Sequence, residues 1–118
     1  MTRIAVLGAG KIGEALLAGL LAAGYSTDEL VFTERHPERA TELTARHRVA
    51  AVDVATAARA EIVVVAVKPQ DIGPVLDQLG PALAPGTLVV TLCAGLPTSL
   101  FERALPDGTP VVRVMPNT

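Results

Sequence analysis

The chain has 118 residues, half of them apolar, with ten Lys or Arg against twelve Asp or Glu, one cysteine and two histidines. That is material for one domain with a real core, and a net charge of −2 gives no footing for a nucleic-acid partner. A lone cysteine, Cys93, excludes an internal disulfide and fits a reducing cytosol. The scattered His and Cys have no metal-ligand spacing, so no metal site is expected.

Arg3 to Leu7 is an apolar run of strand length, and Gly8-Ala9-Gly10-Lys11-Ile12-Gly13 follows it directly before a helical pattern begins. In a strand–turn–helix unit each glycine of Gly-x-Gly-x-x-Gly has its own task. Gly8 permits the tight turn, Gly10 lets the backbone approach a pyrophosphate, and Gly13 lets the helix pack close to the strand. The helix's first turn offers unpaired N–H groups and a positive dipole end to the phosphates. A Walker-type phosphate loop is excluded, because the position five before Gly10 is Ala5. The helix is expected to run to about Ala23, ended by Gly24. Lys11, Glu14 and five glycines interrupt the apolar segment from Ile4 to Gly24, and no cleavage site follows. It therefore reads as a buried strand and helix rather than a signal or anchor, and a cytoplasmic protein with no membrane partner is expected.

Leu30 to Thr33 reads as a second strand, and Pro37 opens a helix through about Arg46. The stretch from Glu34 to Arg48 mixes charge signs, as a solvated helix face does. Val49 to Val52 is a weak third strand, and Asp53 can cap the short Ala-rich helix behind it. Ile62 to Val67 is the run expected of a central parallel strand buried on both faces. Ile72, Val75, Leu76 and Leu79 form one helix face, with Pro74 admissible only near that helix's start. Thr87 to Leu92 is a fifth strand, with Cys93 read as a small core residue at its end. Thr98 to Leu105 is a helix and Pro110 to Val114 a sixth strand.

Six strands with intervening helices, glycine-rich turn first, define an α/β Rossmann-type doubly wound parallel sheet of strand order 3-2-1-4-5-6 over residues 1–118. Its ligand crevice lies at the C-terminal strand ends. At the end of the second strand stands Glu34, which can accept from both ribose hydroxyls and so favours NAD(H). Arg35 beside it can hold a 2′-phosphate through charge-assisted bonds and so favours NADP(H). The pair leans toward NADP(H), with NAD(H) or dual use the alternative. Arg35 is otherwise a surface arginine paired with Glu34 or Glu38.

Two further stretches are distinctive: Val65-Ala66-Val67-Lys68-Pro69-Gln70, and Val111-Val112-Arg113-Val114-Met115-Pro116-Asn117-Thr118. With Ala94-Gly95 after the fifth strand, they resemble, in order and along the whole chain, the N-terminal domain of the pyrroline-5-carboxylate reductases, the last enzymes of proline biosynthesis. The resemblance implies that Leu7, Gly8, Ala9, Gly10, Lys11 and Ile12 hold the pyrophosphate, and that Glu34 and Arg35 meet the adenosine ribose. Asp53 falls where the family carries a polar residue, often asparagine, near the adenosine. Ala66, Val67, Lys68 and Pro69 would line the cofactor, with Lys68 either reaching a phosphate or facing solvent. Cys93 and Ala94 would border the nicotinamide. Met115 and Asn117 would stand near nicotinamide or substrate, unless Asn117 is only a turn residue.

The implied reaction is hydride transfer to the C=N carbon of a small cyclic imine. No residue is a convincing proton donor, since His36, His47 and Tyr25 all read as structural or exposed, so no catalytic residue is assigned. Family members continue past Met-Pro-Asn-Thr into a helical domain that makes a homo-oligomer and closes the imine pocket. The chain is thus expected to be the cofactor-binding half, binding dinucleotide with little or no turnover alone. Two other readings share the fold: a stand-alone NADP(H)-binding module, and another dehydrogenase of the β-hydroxyacid or prephenate group. Lys-Pro after the fourth strand and Met-Pro-Asn after the sixth argue against that last one.

Overall fold

A computed structural model describes residues 3–93 and 95–114. Its sheet has six strands, all pairings parallel, in the order β3-β2-β1-β4-β5-β6. The strands are β1 (Ile4–Leu7), β2 (Leu30–Thr33), β3 (Ala50–Ala51), β4 (Ile62–Val65), β5 (Leu88–Thr91) and β6 (Val111–Arg113). The helices between them are α1 (Lys11–Ala22), α2 (Pro37–His47), α3 (Val54–Ala57), α4 (Ile72–Ala82) and α5 (Thr98–Ala104).

The two-residue period of a strand sends alternate side chains into two separate cores. Ile4, Val6 and Val64 pack with Leu17 of α1 and Leu43 of α2 on one face. Ala5, Leu7, Val63 and Val65 pack with Leu76 and Leu79 of α4 and Phe101 of α5 on the other. Being covered on both sides is why β1 and β4 are continuously apolar rather than alternating.

Pairing stops sooner than the apolar runs do. β4 ends at Val65, although the β-branched run continues to Val67. Ala66 N–H still donates to Leu7 O (2.8 Å), but β1 has by then turned away at Gly8, so the chain peels off into a 3-10 turn at Pro69–Asp71. β3 is shorter than Val49 to Val52 because an edge strand has one neighbour, and only Val31 and Phe32 of β2 reach it in register. The sixth strand keeps its full expected span in hydrogen bonds. Val89 N–H donates to Pro110 O and Val114 N–H to Thr91 O, both at 2.9 Å.

Candidate functional site

Four strand ends converge on a cavity of about 650 Å³, within the size range of small-molecule and cofactor sites. Gly8 and Gly10 follow β1, Glu34 and Arg35 follow β2, Asp53 follows β3, and Ala66, Val67 and Lys68 follow β4; all of them line it. Asp71, at the end of the 3-10 turn, and Pro74 and Val75 of α4 close the far side. This is the crevice where strand order reverses, between β1 and β4.

The turn after β1 is held from three directions. Gly8 N–H is shared between Thr33 O and Thr33 Oγ1, both at 3.2 Å, which ties the turn to the end of β2. Its φ of +90° lies in the region that side chains rarely adopt, and a Cβ there would stand 2.6 Å from Val67 Cγ1. Behind it, a Cβ on Gly13 would stand 2.1 Å from Gly8 O, so α1 can lie this close only with glycine at that position. Gly10 differs: a Cβ there would meet nothing within 4 Å. As a cavity-lining residue and N-cap of α1 with no side-chain cap, it leaves open space in front of the helix's first N–H groups, where an anionic group fits.

At the end of β2, Glu34 is turned inward, its side chain 9% exposed. Its Oε2 accepts from the His36 N–H at 2.9 Å and lies 2.7 Å from His36 Nδ1. Burial pushes its carboxyl up, but the His36 backbone and ring bonds and the Arg39 charge outweigh this and leave it below the ordinary value. Arg35 is far more exposed, at 69%, with Nη1 3.3 Å from Asp71 Oδ1. It is paired, as an arginine at this position could be, but with Asp71 rather than Glu34 or Glu38. Asp53 does cap α3: Oδ1 accepts from Thr56 N–H at 2.8 Å, and its bonds to Thr56 hold its carboxyl below the usual range.

The remaining site candidates fall into other surroundings. Leu7 and Ala9 are fully buried, so only their backbone can serve a ligand. Lys11 and Ile12 sit exposed on the first turn of α1, and Pro69 is exposed on the 3-10 turn; none of the three lines the cavity. Cys93 is buried, its thiol donating to Val67 O at 3.2 Å, and burial pushes that thiol up. Its position is that of a brace beneath the loop after β4 rather than of a cavity wall. Ala94, Met115 and Asn117 lie outside the described residues.

Sequence reasoning missed several walls: Thr33, His36, Asp71 and above all Arg39. Arg39 lies in the first turn of α2, two residues after Pro37, and so stays beside the β2 end. Its Nη2 donates to Glu14 Oε1 at 3.0 Å. Glu14 also takes Arg46 at 2.6 Å and His47 at 2.7 Å, which together fasten the first turn of α1 to α2. His47, Arg46 and Arg39 hold the Glu14 carboxyl down at about 2. Among the described residues no group of three or more His, Cys, Asp or Glu could hold a metal ion, and no helix is long and apolar enough to cross a membrane.

Sheet order, crossover positions and glycine turn define a Rossmann-type α/β domain. The family model described as NADP oxidoreductase, coenzyme F420-dependent, matches residues 3–95, and the chain belongs to that family. It is 48% identical to pyrroline-5-carboxylate reductase of Mycobacterium tuberculosis over 99% of its own length and 42% of the relative's. Among solved structures, a pyrroline-5-carboxylate reductase from Coxiella burnetii superimposes with a TM-score of 0.92 at 32% identity, covering 99% of this chain and 44% of that one. The Plasmodium falciparum pyrroline carboxylate reductase, crystallised with NADP bound, gives 0.82 at 27% identity, over 98% and 42%. The resemblance carried by Ala-Val-Lys-Pro and Met-Pro-Asn thus extends along the whole chain, which spans about two-fifths of the length of these relatives.

Proposed function

We propose that this chain is the cofactor-binding part of a pyrroline-5-carboxylate reductase, an NAD(P)H-dependent oxidoreductase that reduces the cyclic imine to L-proline. The observation that carries the reading is the whole-length match to reductases of that name. The crevice suits the role, with a glycine turn, an uncapped helix start and cationic side chains around one cavity of cofactor size. The bound nicotinamide supplies hydride to the C=N carbon; this chain's residues bind, orient and screen.

In this reading the backbone from Leu7 to Gly13 holds the pyrophosphate, and Lys68 stands by as a cation at the mouth. Ala66 and Val67 pack along the cofactor, and Asp53 borders the adenosine. The preference proposed is for NADP(H) over NAD(H). Glu34, Arg35 and Arg39 all line the cavity; Glu34 spends one carboxylate oxygen on the His36 N–H, while Arg35 and Arg39, each paired with a carboxylate, carry further N–H groups suited to a 2′-phosphate. None of these residues is an acid placed to protonate an imine nitrogen, so proton supply and the imine pocket are assigned to the part of the enzyme beyond this domain, together with homo-oligomer formation. A cytoplasmic setting suits a biosynthetic enzyme with an unpaired thiol.

Calorimetric titration with NADPH and NADH tests this. NADPH is expected to bind more tightly, and Arg35→Ala to weaken NADPH by about 1.5–3 kcal/mol, the worth of a hydrogen bond to a charged group, while leaving NADH nearly unchanged. Equal or tighter NADH binding would overturn the preference. Absence of binding by the folded chain would overturn the cofactor assignment, and rapid imine reduction by the 118 residues alone would refute the division of labour.

A further inference from the structure

The Arg35–Asp71 pair spans the crevice. Arg35 extends from the loop after β2, and Asp71 ends the 3-10 turn that follows β4; both line the same cavity, and their charged groups meet at 3.3 Å. Asp71 precedes α4 but makes no side-chain cap to it, so its carboxylate is not needed to start that helix. Among the described residues Arg35 is its hydrogen-bonding and ion-pair partner. Arg39 is restrained differently. Its carboxylate partners are Glu14 of α1, which is shared with Arg46 and His47, and Glu42 within α2.

We infer that Asp71 is a specificity-tuning residue, competing with the 2′-phosphate of the dinucleotide for the Arg35 guanidinium. The inference rests on the proposed assignment of Arg35 to that phosphate. With no ligand, Asp71 holds Arg35 across the crevice and neutralises it. A 2′-phosphate takes Arg35 over, and Asp71 is released to water, to which its side chain is already 27% exposed. A dinucleotide without the 2′-phosphate has nothing to exchange for the pair. The competition therefore taxes NADP(H) alone and narrows the preference that Arg35 creates. Since Arg35 is largely exposed, the tax is modest and screened by salt.

The test is a double-mutant cycle on the 118-residue chain, with NADPH and NADH titrated into parent, Asp71→Asn, Arg35→Ala and the double variant. Asp71→Asn is expected to tighten NADPH binding by about two- to fivefold, the range of an exposed ion pair, with a smaller change for NADH. The gain should shrink at high ionic strength and vanish in the Arg35→Ala background. Unchanged or weaker NADPH binding by Asp71→Asn would overturn the inference. So would a gain that persists without Arg35, since it would reflect only the removal of a negative charge from the cavity. If Arg35→Ala alone leaves NADPH binding intact, the 2′-phosphate assignment fails first and the inference with it. Loss of binding on Arg35→Ala with no effect of Asp71→Asn sinks the inference alone.

Discussion

At Gly13 a single added carbon would stand 2.1 Å from the carbonyl oxygen of Gly8, a contact that no flexible side chain can relieve. The neighbour is the backbone of the turn itself, so either α1 moves off the sheet or the turn is pushed into the crevice. Gly13→Ala is therefore expected to destabilise the domain by about 1–3 kcal/mol, read as a lower denaturant midpoint at unchanged slope. Dinucleotide affinity should fall with it, because the displaced oxygen belongs to the turn proposed to hold the pyrophosphate. Gly10→Ala is the control, since its Cβ meets no protein atom: stability should hold while affinity drops. If Gly10→Ala binds as well as the parent, the pyrophosphate does not lie against that turn.

Between elements, the joint of α1 to α2 is electrostatic as well as apolar. Glu14 in the first turn of α1 meets His47, Arg46 and Arg39 of α2, and their hydrogen bonds hold its carboxyl at about 2, against an ordinary 4.5. A carboxylate with a depressed value stabilises the fold fully above about pH 4.5, and that contribution is lost as pH falls toward 2. Urea unfolding of the parent should therefore weaken across this window more steeply than that of Glu14→Gln, which should itself be less stable at neutral pH. Parallel acid limbs for the two proteins would show that the cluster contributes nothing. Because Arg39 is one of these partners and also a cavity wall, the same substitution should loosen the cavity at the end of β2.

Across the whole molecule, protection should follow the sheet order. β1 and β4 lie in the centre, paired on both sides and buried between two cores, whereas β3 and β6 are edges. β3 is two exposed residues long, and Val112 of β6 is 47% exposed. Hydrogen exchange is expected to be slowest at amides such as Val6 and Val64 and early at Ala51 and Val112, since local opening draws on the elements with least burial. Uniform protection from β3 to β6 would contradict this ranking.

The alternation of apolar strands with amphipathic helices is written in nearest-neighbour spacing, and the handedness of crossovers then leaves one strand order; for that reason the fold was legible before any coordinates. The glycine turn was legible for a similar reason. Gly8, Gly10 and Gly13 act through backbone shape, which depends on residues a few positions apart. Strand ends were less so: the apolar run to Val67 does not reveal that β1 turns away at Gly8, so that Ala66 N–H makes the last bond to β1 and Val67 has none. Least legible were the side-chain partners. Arg35 could be seen to be cationic beside a strand end, but its pairing with Asp71 joins positions 36 apart, and Glu14 meets Arg39 across 25. Cys93 was legible as a core residue, but its thiol's bond to Val67 O, 26 positions away, was decided only when separate βα units came together. Local periodicity determines which segments become strands and helices; which charges face one another is set by how those segments cross, and that is a property of the tertiary structure.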